Sequence, residues 1–139
     1  MKEETIFAVI DTNVLVSAMI SHNQNSPTVK VLKAIAAGNI TPLYNDEIFS
    51  EYAEVLTRNK FNLDFDDVAK MLKYIRDIGI KSVRIKSFEH FPDSSDAMFY
   101  EVALSKEGSF LVTGNLRHFP KTPIVVTPTE ILEILESKE

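Results

Sequence analysis

The feature that most restricts the fold of this chain is an alternation. Short apolar runs of strand type are each followed, after a turn, by a segment with helical spacing. The first run, "TIFAVID", is apolar on both faces, as a central parallel strand buried on both sides must be. "NVLVSAMI" follows as a helix, and "SHNQNSP" is a polar loop. Ser26 then caps and Pro27 opens a helix with Val29, Leu32, Ile35 and Ala36 on one face, stopped by Gly38. "NITPLYN" is a second strand. "NDEIFSEYAEVLTRNKF" is a helix capped by Asn45 or Asp46, with Ile48, Tyr52, Val55 and Leu56 as its apolar stripe. "DFDDVAKMLKYIRDIG" is the next, capped by Asp64 and ended by Gly79. "IKSVRIK" alternates as a strand, "DSSDAMFYEVALSKEG" is a helix, and "SFLVTGN" and "PIVVTP" are strands. "TPTEILEILESKE" is the last helix, with Thr127, Pro128 and Glu130 forming a capping box. No repeat, low-complexity tract or linker interrupts the order. The expectation is an α/β three-layer sandwich, a mostly parallel central sheet flanked by helices, as one domain over residues 1–139.

Composition narrows the function. At 45% apolar residues the chain has the material for a core. No apolar run approaches the roughly 18 residues of a membrane span, and "MKEETIFAVI" lacks the build of a signal peptide. With no cysteine, disulfide and thiolate chemistry are excluded, which fits a cytoplasmic location. A formal net charge of −5 has the wrong sign for a binder that relies on bulk attraction to nucleic acid, but it suits carboxylates gathered around a divalent cation. Basic residues do cluster locally: Arg58 with Lys60, Lys81 with Arg84 and Lys86, and Arg117 with His118.

In parallel α/β sheets, ligands bind beyond the carboxyl ends of the strands. Asp11, Thr12 and Asn13 stand there, directly after the first strand, and Thr113-Gly114-Asn115 stands after "FLV". Asp93 and Asp96 open a helix. At about 100° per residue, Glu51 lies about 60° from Ile48 and about 40° from Val55, so it flanks the buried stripe. Each has an ordinary structural alternative. Asp11-Thr12-Asn13 suits an Asx turn, Asp96 a helix N-terminus, Asp93 an N-cap, and Glu51 an ion pair with Arg58. His22, His90 and His118 show no metal-ligand spacing, and His118 is set apart by its closeness to Asn115. Taken together, several acids from separate segments converging above one sheet would repel one another unless a cation neutralised them. Hard oxygen donors suit Mg²⁺ or Mn²⁺.

Five strings in order carry a family resemblance over nearly the whole chain: "VIDTNVLVSA", "IFSEYAEVL", "DSSDAMFYEVAL", "FLVTGNLRHFP" and "VVTPTEILEIL". They resemble the PIN domain, in particular the toxin-component branch of prokaryotic toxin–antitoxin systems. The resemblance implies a metal-dependent ribonuclease in which Asp11, Glu51 and Asp96 hold Mg²⁺ or Mn²⁺. Thr12, Asn13 and Thr113 would support the site and Asp93 would be an auxiliary acid. Asn115 occupies a catalytic position where the family often has Asp, which removes one negative charge. The implied reaction is hydrolysis of RNA phosphodiesters, leaving 5′-phosphate and 3′-hydroxyl ends. Arg117 and His118, or Lys81 and Arg84, are the cations that would steady the RNA backbone. An antitoxin protein and a second copy in a homodimer are the partners implied.

Two rival readings stand beside it. An Asp-nucleophile phosphatase would want a second Asp two residues after Asp11, where Asn13 stands, and a Lys near "LVTGN". A non-cutting PIN-like module that binds RNA or a protein is favoured by Asn115 and the acidic balance.

Overall fold

The structure, a computed structural model, describes residues 5–138. Five strands form one all-parallel sheet in the order β3-β2-β1-β4-β5. They are β1 (Ile6–Ile10), β2 (Ile40–Tyr44), β3 (Ile80–Lys81), β4 (Phe110–Val112) and β5 (Val125–Val126). Six α-helices flank the sheet: α1 (Thr12–Ile20), α2 (Pro27–Ala36), α3 (Asp46–Leu56), α4 (Phe65–Ile78), α5 (Ala97–Ala103) and α6 (Pro128–Ser137). Three single 3₁₀ turns lie at Asn59–Phe61, Ser94–Asp96 and Leu116–His118. The expected α/β sandwich is therefore the fold, and among the described residues no helix is long and apolar enough to cross a membrane.

The strand order locates the functional edge. From β1 the chain builds outward through β2 to β3, then returns to place β4 on the other side of β1. The crevice between β1 and β4 is the switch point at which such sheets bind ligands. Both strands are buried through their last residues: Val9, Ile10, Leu111 and Val112 have no exposed surface. Tyr52, Ile48 and Leu56 of α3, Phe99 and Val102 of α5, and Ile131 of α6 complete the core.

Helix starts follow their local signals. Ser26 accepts from the Val29 amide, Asn45 from Ile48, Asp64 from Asp66 and Asp67, and Thr127 and Glu130 close the capping box. Two expectations need correction. The strand expected over "IKSVRIK" ends after Lys81; β3 pairs only with β2 and the chain then runs irregularly to the turn at Ser94. Val83 is 68% and Phe88 93% exposed, so the alternation there has no buried face to serve. Contacts with Glu101 help to hold this segment: the Ile85 amide donates to its carbonyl, and the Ser87 amide to its buried carboxylate. Secondly, Asp93 does not open the α-helix directly, whereas Asp96 stands at the N-cap position of α5. They bracket the 3₁₀ turn that leads into α5.

Candidate active site

Asp11 occupies the N-cap position of α1, yet its side chain makes no capping bond to that helix. An Asp cap is ordinarily worth about 1 kcal/mol. Here the carboxylate faces the switch point, where its Oδ2 accepts from Thr113 Oγ1 at 2.7 Å, a contact spanning 102 residues of sequence. The Asp11 amide also donates to the Val112 carbonyl at 2.9 Å, tying the end of β1 to the end of β4. Asp11 is only 7% exposed. Burial, with a smaller push from the charges of Asp96 and Glu51, raises its carboxyl to about 6 against the pull of the Thr113 hydroxyl. Among the described residues, no cation forms an ion pair with this carboxylate.

The neighbouring residues are held by one another. Thr12 donates to a carboxylate oxygen of Glu51, linking α1 to α3. The ion pair with Arg58 considered for Glu51 is instead made by Glu54, one turn further along α3. Asn13 does not hold its own turn: its Oδ1 accepts from the Gly114 amide across the crevice at 3.1 Å. Thr113 Oγ1, having donated to Asp11, accepts from the Asn115 amide at 3.0 Å. Asn115 Nδ2 lies 3.0 Å from His118 Nε2, and His118 Nδ1 lies 3.4 Å from Asp96 Oδ2. The His118 ring thus bridges the Asn115 side-chain amide and the Asp96 carboxylate. Burial, followed by the nearby Asp93 charge, raises the Asp96 carboxyl, and His118 offsets part of that. Asp93 does the ordinary work open to it, capping the 3₁₀ turn through the Ser95 amide and hydroxyl, which hold its own carboxyl low.

Asp11, Glu51 and Asp96 thus lie within electrostatic reach of one another, from three separate elements. They do not form a ready-made cage. Among the described residues, no three acid or imidazole groups stand close enough together to enclose a metal ion. The donor set nevertheless fits a hard divalent cation: the oxygens are carboxylates, and the burial and repulsion that raise Asp11 are costs such an ion relieves.

Tyr52 belongs beside these residues and was legible only as part of the apolar stripe of α3. Its hydroxyl donates to the Ile10 carbonyl at 2.5 Å, directly beneath Asp11. Burial, with the charges of Asp11 and Glu51, raises its phenol far above the ordinary range. Nothing in the sequence separates a Tyr that only packs from one that also pins a strand end. Lys81 and Arg84, expected as RNA contacts, are committed elsewhere. Lys81 pairs with Asp46, and Arg84 with Glu47 and the buried Glu101. Arg117 and His118 remain, exposed on the turn that follows Asn115.

Fold and site together define a class: a parallel α/β domain with an acidic crevice at the carboxyl edge of its central strands. A family model described as the PIN domain matches residues 8–117, and the chain belongs to that family. PIN domains are nuclease-type domains, so the expected class of activity is cleavage of nucleic acid.

Proposed function

We propose that this protein is a Mg²⁺- or Mn²⁺-dependent endoribonuclease and the toxin component of a toxin–antitoxin pair. The observation that carries the nuclease reading is the Asp11 carboxylate. It is buried at the switch point, released from capping α1, raised to about 6 and, among the described residues, ion-paired with no cation. Asp11, Glu51 and Asp96 would hold the ion, which supplies charge neutralisation at a phosphodiester and a lowered pKa for an attacking water. The remaining work falls to the chain itself. Thr113 orients the Asp11 carboxylate, and Thr12 orients that of Glu51. Asn13 and Gly114 hold the two sides of the crevice at a fixed separation. A neighbouring carboxylate of the crevice would accept the proton of the attacking water. Asn115 presents an amide where a further acid would stand, at the cost of one negative charge. The toxin role, an antitoxin partner, a homodimer and a cytoplasmic setting are supported by the likeness of the five motifs to the toxin branch.

The test is cleavage of a mixed set of labelled RNAs with Mg²⁺, Mn²⁺ or EDTA, beside Asp11→Asn and Asp96→Asn. Cutting with either metal, none in EDTA, and a loss of about 10²-fold or more in both variants is the expected result. Equal cutting in EDTA, or by the variants, refutes it. A second reading, an RNA-binding module that does not cut, draws on the engagement of Asn115 with His118 and would show as RNA binding without cleavage under every metal.

A further inference from the structure

The 3₁₀ turn Leu116–His118 serves the acidic crevice through His118. It also forms one side of an open groove of about 540 Å³. Leu116, Phe119, Pro120 and Val125 give this groove apolar walls, and Arg117 and Lys121 line it with positive charge. The volume falls within the range of small-ligand sites. Its cations are free of the ion pairs that hold several others among the described residues. Arg58 and Arg84 are locked in ion pairs, and Arg76 lies over the ring of Phe49. Lys73 and Lys81 are paired as well. Among the described residues, Arg117 and Lys121 take part in no ion pair. The groove opens on the same turn that follows Asn115 and that carries His118 to Asp96.

We propose that this groove holds one unpaired base of a single-stranded nucleic acid, with Arg117 and Lys121 on the adjoining phosphates. The proposal rests on the nuclease reading above and extends it to a substrate class. Three properties of the groove favour this occupant. Apolar walls suit the face of a base, which is otherwise exposed only when unstacked. Unpaired cations beside those walls complement a phosphate backbone. An overall acidic protein that acts on a polyanion also needs uncommitted basic residues near its site, and Arg117 and Lys121 stand close after Asn115 in the chain. Duplex nucleic acid keeps its bases stacked and paired, so it cannot offer one to the groove.

The experiment is fluorescence anisotropy of a labelled single-stranded oligoribonucleotide in EDTA, over a range of salt. It is repeated with the matching duplex and with single abasic substitutions along the strand. Leu116, Arg117 and Lys121 are all exposed, so Leu116→Ser, Arg117→Gln and Lys121→Gln should keep the fold, and thermal melting verifies this. The expected result is roughly fivefold weaker binding in each variant. For the two charge variants, the dependence of log K on log salt should also become less steep by about 0.7 each. The duplex should bind at least about tenfold more weakly, and abasic substitution at one position should weaken binding far more than elsewhere. A flat abasic scan, equal affinity for duplex, or unchanged affinity and salt slope in the variants overturns the proposal and leaves the groove to a protein partner. Cleavage is followed in parallel with Mn²⁺. Cutting with a flat binding profile removes the base-binding groove and keeps the nuclease; the expected binding profile without cutting does the reverse.

Discussion

Asp11→Asn should make the protein more stable, and the gain should depend on pH in a defined direction. The Asp11 carboxyl is held at about 6 in the folded protein against an ordinary 3.8. A native pKa above the unfolded one means that the folded state binds this proton more tightly. Well below pH 3.8 both states are protonated and the residue costs nothing. As pH rises from about 4 to 6 the unfolded chain gives up the proton first, and stability falls. Above about pH 6 the full penalty is present, roughly 3 kcal/mol for ionising this carboxyl in place. Asn cannot ionise and so avoids that penalty. It still offers an oxygen to Thr113, but a weaker acceptor, which offsets about 1 kcal/mol. A net gain of about 2 kcal/mol at pH 7.5 corresponds to a Tm higher by about 6–10 °C for a chain of 139 residues. At pH 4.5 the remaining penalty is about 1 kcal/mol, matched by the weaker bond, so parent and variant should melt together. The assay is thermal unfolding of both proteins at the two pH values, with EDTA present. Added Mn²⁺ at pH 7.5 should raise the Tm of the parent and leave that of the variant nearly unchanged. A variant no more stable than the parent at pH 7.5, or a gain equal at both pH values, would refute the reasoning. A gain in stability coupled to loss of cleavage is the mark of a residue kept for function at the expense of folding.

Three further outcomes follow from the same structure. Thr113→Val removes the one hydroxyl that donates to Asp11 and leaves a buried carboxylate oxygen unanswered; stability should fall by about 1–3 kcal/mol at pH 7.5, and the Asp11 carboxyl, followed by NMR titration, should move above 6. Arg84→Ala strips the guanidinium from Glu101, leaving the buried carboxylate only the Ser87 amide; chemical denaturation should show a loss of about 2–4 kcal/mol at neutral pH. Because Ser87 and Arg84 outweigh burial and hold the Glu101 carboxyl below its ordinary 4.5, this contribution is present above that pH and fades in acid, so the variant and parent should converge as pH falls. Gly79→Ala would bring a Cβ within 2.5 Å of the Ile75 carbonyl oxygen and 2.7 Å of the Pro42 carbonyl oxygen, both backbone atoms; melting should report a loss of about 1–3 kcal/mol from the junction of α4 with the sheet.

What the sequence by itself determined was whatever depends on neighbours along the chain. The alternation of apolar strands with amphipathic helices was enough for the sandwich, because burial on both faces of "FAVI" leaves a parallel sheet as the solution. Ser26, Asn45, Asp64 and Thr127 were legible as caps because a cap acts within three residues of itself. The position of Asp11 at a strand end was legible for the same reason. Its use was not: nothing local distinguishes an Asp that caps α1 from one that leaves the helix uncapped and turns to Thr113. Thr12 meets Glu51 and Asn13 meets Gly114 only because β1, α3 and β4 are folded side by side. The alternation in "IKSVRIK" failed as a strand because a strand needs a partner as well as a pattern, and beyond Lys81 the sheet offers none. Likewise Lys81 and Arg84 look like free cations along the chain until tertiary packing brings Asp46, Glu47 and Glu101 to them. Local patterns decide which segments form because backbone hydrogen bonds and caps are short in sequence. Ion pairing, desolvation and the pKa of a buried acid are set by groups distant in sequence, and only the tertiary structure decides those.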